Sequence, residues 1–318
     1  MRGFITVCAA VLLLGSYARG EYGVELLDGK ISLDAQVWST VHFYRFTIGG
    51  LSGNDATFER PVALAGLTGR ISPVVSVRTY FDVGGFWGGP ALDMYVDFAW
   101  RSGFGARVGQ FLPPLGFDYM TSYVRQPLVN NSLLVAYAKS NGGRDIGAMG
   151  GWQNRHLSLV AALLNGAGAN RGDNNNKKDL CARITAQPLA AVDAVFALRG
   201  YYGWPGSPDS VWRTVAAEVR MKTGPIVFQS EFQSHYGSDV PNNAAYLQAV
   251  WSAVGWEPAA RFDLVLPQGR HPEWMITAGL NLHPISEHLK IMLDCSYRRN
   301  YQDNWSVLGF LLRVQAWL

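Results

Sequence analysis

Eight arginines, Arg78, Arg107, Arg183, Arg199, Arg220, Arg261, Arg298 and Arg313, each occupy a polar position in a stretch that alternates apolar and polar residues. Seven acids, Asp34, Asp82, Asp97, Glu218, Glu231, Asp263 and Asp294, share those positions. A guanidinium is always charged and is rarely buried without a partner. Repeated on many segments at a period of two, such residues line a surface that meets water or a partner charge. That surface can guide anions along a track. It can also neutralise itself through ion pairs across neighbouring strands. The second reading covers most of the set, and the first is reserved for arginines that meet a folded loop.

Other chemistries find less support. Nucleophilic catalysis needs a nucleophile, a base and an orienting group within hydrogen-bond reach. The six histidines, His42, His156, His235, His271, His283 and His288, fall in no motif with a serine, and no G-x-S-x-G turn occurs. "GDNNNKKD" spaces oxygen ligands like a calcium loop, but Lys177 stands where a ligand is needed and the following glycine is missing. A solvated loop is expected there, with no metal and no cofactor. "RGD" at Arg171 to Asp173 is too short to carry information. Parity puts Cys181 inward and Cys295 outward, so no disulfide joins them.

The elements that must position the charges read as strands. "VVSVRTYFDV" puts Val75, Val77, Thr79, Phe81 and Val83 on one face, with Ser76, Arg78, Tyr80 and Asp82 on the other. "LGFLLRVQAWL" puts Leu308, Phe310, Leu312, Val314, Ala316 and Leu318 opposite Arg313 and Gln315. Sixteen such segments follow one another, starting near Lys30, Phe58, Val74, Ala91, Phe104, Asp145, His156, Lys178, Val192, Val211, Ile226, Ala244, Glu257, Glu273, Leu289 and Trp305. Their connections alternate in length. "ISP", "RSGFG", "WQNRH" and "KTGP" are tight, whereas "TIGGLSGNDAT", "NGAGANRGDNNNKK" and "YGSDVPNN" are longer. Short periplasmic turns and longer extracellular loops are the mark of an outer-membrane barrel. Trp87, Trp100, Trp152, Trp204, Trp212, Trp256, Trp274 and Trp305 lie near strand ends, where a membrane interface favours amphipathic rings. The expected fold is all-β, a transmembrane antiparallel β-barrel of about sixteen strands. A closed barrel pairs every backbone group in lipid, and sixteen strands leave an aqueous channel.

The first twenty residues supply the address. Arg2 precedes an apolar run from Phe4 to Leu14, and Ala18 and Gly20 suit a cleavage site. Residues 1–20 are read as a secretory signal peptide and 21–318 as one barrel domain, in the outer membrane of a Gram-negative bacterium. Removing Arg2 and Arg19 takes the formal charge from +3 to +1. That balance excludes a nucleic-acid partner, which would need a clustered basic excess.

Alternation breaks at Pro113 and Pro114 and returns near Asp145. Proline cannot donate to a strand ladder, and a long irregular insert in a regular chain is usually functional. This third extracellular loop is expected to fold inward and narrow the lumen. It carries Arg125, Lys139 and Arg144 against one acid, Asp118. A basic constriction favours anions.

"RVGQFLPPLGFDYMTS" followed by "GGRDIGAMGGW" resembles the phosphate-selective porin O and P family of Gram-negative outer membranes. "LLNGAGANRGDNNNKKDLCARITAQP" and the closing "TAGLNLHPISEHLKIMLDCSYRR" and "LLRVQAWL" extend the resemblance over nearly the whole mature chain. It implies a sixteen-stranded barrel, usually trimeric, that passes small anions by diffusion between water and outer-membrane lipid. Arg125, Lys139 and Arg144 are then the candidate selectivity residues. Two alternatives stay open. One is a general or sugar-type channel, with Tyr80, Tyr95 and Tyr201 as a sliding path. The other is a barrel enzyme.

Overall fold

The computed structural model describes residues 24–85, 89–137, 143–187, 193–204, 211–236, 242–267, 269, 271–286, 288–301 and 304–318. The signal segment, Trp87 and Lys139 lie outside the described residues. Eighteen strands form one sheet: β1 (Val24–Leu26), β2 (Ile31–Ile48), β3 (Leu51–Phe58), β4 (Val62–Arg70), β5 (Val75–Asp82), β6 (Ala91–Ala99), β7 (Phe104–Phe111), β8 (Asp145–Gln153), β9 (Leu157–Leu164), β10 (Asp179–Ala186), β11 (Asp193–Gly203), β12 (Trp212–Thr223), β13 (Ile226–Tyr236), β14 (Asn242–Trp251), β15 (Trp256–Pro267), β16 (Glu273–Leu282), β17 (Leu289–Asn300) and β18 (Trp305–Trp317). All neighbours run antiparallel. β18 pairs with β2 from Trp317↔Gln36 to Trp305↔Ile48, which closes the ring. The short β1 pairs only with the start of β2. β3 and β4 pair in turn with the upper and lower halves of β2, so together they fill one place in the wall. The wall therefore has sixteen places, as the alternation predicts.

Parity is obeyed along the strands. Leu247 is 58% exposed on the outer face, while its neighbour Gln248 is 4% exposed on the inner one. Leu198, Val215, Phe310 and Val314 face outward in the same way. Trp100, Trp152, Trp256 and Trp274 lie at strand ends on the outer face, and Trp251 and Trp256 approach to 6.1 Å. Trp212 and Trp305 depart from the expected girdle. They fall on the inner parity of β12 and β18, where Trp212 packs on His235 at 4.0 Å and Trp305 lies under Arg298 at 5.0 Å.

The first connection differs from its expected length. "TIGGLSGNDAT" is not a long loop but a turn at Gly49 and Gly50, φ +56° and +88°, with ladder pairing resuming at Leu51. Two consecutive positive φ values suit a two-residue hairpin turn, and only glycine adopts both at no steric cost. The fold breaks instead at Glu59 to Pro61, between β3 and β4. Pro61 has no N–H for the ladder there.

The wall is uneven. β4 to β10 have eight or nine residues each, whereas β11 to β18 have ten to thirteen. On the outside, running from the low wall onto β11, Ala106, Gly150, Ala161, Ala182 and Gly200 are directly registered across β7 to β11. Larger residues flank this smooth band, with Val108, Leu163 and Leu180 on one side and Phe104, Trp152, Leu159 and Ile184 on the other.

Candidate functional site

The described residues between Phe111 and Asp145 fold into the barrel, as expected. They contain a single helical turn, α1 (Phe117–Met120), and two tighter turns at Tyr123–Arg125 and Leu133–Tyr137. Leu115, Leu128, Val129 and Leu134, all 2% exposed or less, pack toward the wall. Leu134 sits among Ala244, Tyr246 and Val265, and Val129 lies against Met292 and Leu311. Leu128 rests on Gly279, where a Cβ would come within 2.5 Å of its Cδ2.

Wall side chains hold the loop by its backbone. Glu231 accepts from the Asp118 N–H at 2.7 Å, Asp294 from Val129 at 2.7 Å and Asp263 from Leu133 at 3.0 Å. Arg261 donates to the carbonyls of Asn130 and Asn131 at 3.0 and 2.9 Å. Asn281 reaches Pro127 O at 3.0 Å, and Lys290 reaches Val124 O and Gln126 O at 2.8 and 2.9 Å. Asp118 closes the set internally by accepting from Ser132 at 2.7 Å. These side chains are buried. They supply the partners that irregular backbone at membrane depth requires.

This clamp is what the sequence reading missed. Glu231, Asp263 and Asp294 were expected on the inner face as ion-pair partners, and Arg261 as a pore-lining cation. Arg261 does bond Asp263 at 2.9 Å, but its remaining donors grip the loop. Parity could place these residues on the lumen side. The loop's path across β13, β15, β16 and β17 was not visible in any local pattern.

The other predicted arginines all lie on the lumen face, and most have an acid or amide partner. Arg78 makes a two-pronged contact with Asp34 at 2.9 and 3.0 Å, and Arg107 with Asp97 at 2.6 and 2.8 Å. Such paired forks give geometric specificity as well as energy. Arg183 bonds Glu218 at 2.5 and 3.3 Å. Arg199 shares that carboxylate at 3.6 Å and reaches Gln233 at 2.9 Å. Arg298 pairs with Glu273, and Arg313 meets Thr40 Oγ1 at 3.2 Å. Arg144 pairs with Asp93 at 2.7 Å. Arg220 differs. Its hydrogen bonds go to the amide oxygen of Gln229, at 2.8 and 2.5 Å, and no carboxylate among the described residues pairs with it. It feels the opposite charge of Glu231 as well as the like charges of Arg183 and Arg125. The Phe117 ring lies 4.8 Å from the Arg183 guanidinium and 4.9 Å from that of Arg220. Arg125 is exposed on the loop.

A cavity of about 890 Å³ runs past these groups. Its lining reaches from Gly89 and Asn170 on extracellular connections to Asn154, His156, Ser252 and Leu318 on the periplasmic side. Asn170 marks a second inward-folded connection, where its N–H meets Gln110 at 2.6 Å and its amide meets Ala91 O at 2.8 Å. The cationic side chains on the cavity are Arg78, Arg125, Arg144, Arg183, Arg220 and Lys222, and the anionic ones Asp34, Asp93, Asp118, Asp193 and Glu257.

Three further expectations can be placed. Tyr95 and Tyr201 form no sliding path: they are 5% and 3% exposed, Tyr95 beneath Arg107 and Tyr201 bonded to Asp179. Tyr80 does border the cavity, with its hydroxyl on Gln36. Thr214 Oγ1 and His235 Nδ1 lie 3.2 Å apart, but both are sealed from solvent, and no carboxylate among the described residues bonds His235. In the "GDNNNKKD" loop, Lys178 occupies Asp173. With the Asn175 N–H, it holds that carboxyl below the usual carboxylate range, so a lysine stands where a cation would bind.

No family model matches the chain, and no curated protein sequence does. Its fold is similar to solved outer-membrane structures. An anion-selective porin from Comamonas acidovorans is 12% identical, with 91% of this chain and 99% of that one covered and a TM-score of 0.68. OprB of Pseudomonas putida is 9% identical, with 92% and 95% covered and a TM-score of 0.73. The outer-membrane channel DcaP of Acinetobacter baumannii is 8% identical, with 93% and 100% covered and a TM-score of 0.66. At these identities the likeness is one of fold.

Proposed function

We propose that the chain is an outer-membrane porin of a Gram-negative bacterium, a water-filled channel for passive diffusion of small solutes that favours anions, phosphate among them. The observation that carries this reading is where the loop leaves the charges. Glu231, Asp263 and Asp294 sit behind it, each with one oxygen on its backbone. Arg220, Lys222 and Arg125 remain on the cavity. A chain with a formal net charge of only +3 can thus present a cationic stretch in its passage. Low-dielectric walls focus that field on a permeating ion, which a global charge of this size would not do.

Reversal potentials in a planar bilayer under a KCl gradient test the reading. Chloride is expected to outrun potassium, and phosphate to carry current when it replaces chloride. Arg220→Gln is expected to remove more of that preference than Arg144→Gln, whose native charge is already matched by Asp93. Replacing Arg125, Lys139 and Arg144 together by Gln tests the loop's own share. A wild-type channel indifferent to ion sign would leave a general diffusion porin.

The assembly we propose is a homotrimer joined through the low wall. The smooth band from Ala106 to Gly200 lets a second copy approach closely. Native mass spectrometry in detergent is expected to read three chains, and a stable single-chain mass would remove this part of the reading.

A further inference from the structure

Resting on the porin reading, we infer that the constriction selects organic anions with an apolar body, such as aromatic monocarboxylates, over hydrated inorganic phosphate. Much of the backbone that faces the wall is already committed. The N–H groups of Asp118, Val129 and Leu133 and the carbonyls of Val124, Gln126, Pro127, Asn130 and Asn131 all bond wall side chains. At these positions the loop offers a solute side chains rather than peptide groups. Those that line the cavity between α1 and the last turn include Phe117, Met120, Val124 and Val135. The same cavity is lined by Arg183, Arg220 and Lys222. The passage is therefore amphipathic: these apolar side chains stand among polar ones of the loop, such as Thr121, Ser122 and Gln126, and face Arg220 on β12, whose hydrogen bonds go to an amide and not to a carboxylate.

Phosphate fits such a surface poorly. It needs donors around all of its oxygens, and a polar group that loses water without a replacement bond is strongly disfavoured. The N–H groups of Asp118, Val129 and Leu133 are held by wall carboxylates and do not replace that water. An aromatic carboxylate loses little by comparison. Its charged end meets Arg220, and its ring lies on the apolar loop face. Phe117 already shows how the site treats a ring, with two guanidiniums within 5 Å of it. Arginine–ring contact of this kind is favourable and strengthens as water is excluded.

The test uses the full-length protein in planar bilayers, with sodium benzoate, sodium dihydrogen phosphate and sodium chloride in bi-ionic gradients. Benzoate is expected to permeate more readily than phosphate. In Met120→Thr/Val124→Thr the benzoate-to-phosphate ratio is expected to fall about two- to fivefold, the factor carried by one or two weak apolar contacts. Benzoate permeating no faster than phosphate would overturn the inference while leaving an anion porin intact, as would an unchanged ratio in the double variant. A channel with no preference for chloride over potassium would overturn the porin's anion reading, and this inference with it.

Discussion

Arg261→Leu is expected to free the loop from the wall and to destabilise the protein by roughly 3–5 kcal/mol, the range for stranding one partner of a buried ion pair. Arg261 is 3% exposed, and its Nε bonds Asp263, which is fully buried. Leucine would leave that carboxylate with the Leu133 N–H and no cation on its own strand. Asn130 O and Asn131 O would lose their donors as well. A buried carbonyl without a donor costs about 1–3 kcal/mol, so relaxation of the loop into the lumen is the cheaper outcome. Thermal unfolding should shift downward, and single-channel records should show a noisier current of altered size. Arg261→Lys keeps the charge but loses the fork that spans Asp263 and two carbonyls, and should fall between. A quiet, wild-type current with only a change in ion preference would mean that Arg261 lines the pore and does not hold the loop.

The second large effect is expected at Gly116. Its φ is +120°, and a Cβ there would stand 2.3 Å from Glu231 Oε2. Alanine therefore meets two obstacles. The backbone conformation is strained for an L side chain, at about 1–3 kcal/mol. Glu231 must also move, although it is 1% exposed and accepts from Tyr246 Oη at 2.6 Å and from the Asp118 N–H at 2.7 Å. The first turn of the loop should then fail to seat, and protease sites between Leu112 and Arg144 should open. Combining Gly116→Ala with Glu231→Ala separates the causes, because the clash disappears while the backbone strain stays. Gly116→Ala with native protease resistance would show that the loop tolerates a different path into the barrel.

Much of this architecture was legible because strand parity is local. Leu293 and Asp294, or Leu312 and Arg313, declare their faces from a few neighbours, and the count of wall places follows by adding such stretches. Pro113 and Pro114 marked the departure of the loop for the same reason. What parity could not express was contact across the lumen. Lys290 looks like any inner-face lysine until the Val124 and Gln126 carbonyls arrive above it. Arg220 stands out from Arg107 only once Asp97 is found beside one and Gln229 beside the other. The turn at Gly49 and Gly50 was misread because "TIGGLSGNDAT" is polar and glycine-rich in the manner of a loop, whereas its register with β2 continues through Leu51. Tyr95 and Tyr201 had the right parity for a solute path, but neighbouring inner-face groups covered them.

The clamp also bears on how such a channel can change over generations. The wall grips main-chain atoms, which every residue possesses, so the loop's shape places few demands on which side chains it presents to the passage. Met120, Val124 and Val135 can drift without unseating the loop, whereas Glu231, Arg261, Asp263, Lys290 and Asp294, which hold its backbone, cannot. A lineage built this way would acquire new solutes by replacing a handful of lumen-facing positions, as one exchanges the bit of a tool while keeping its handle.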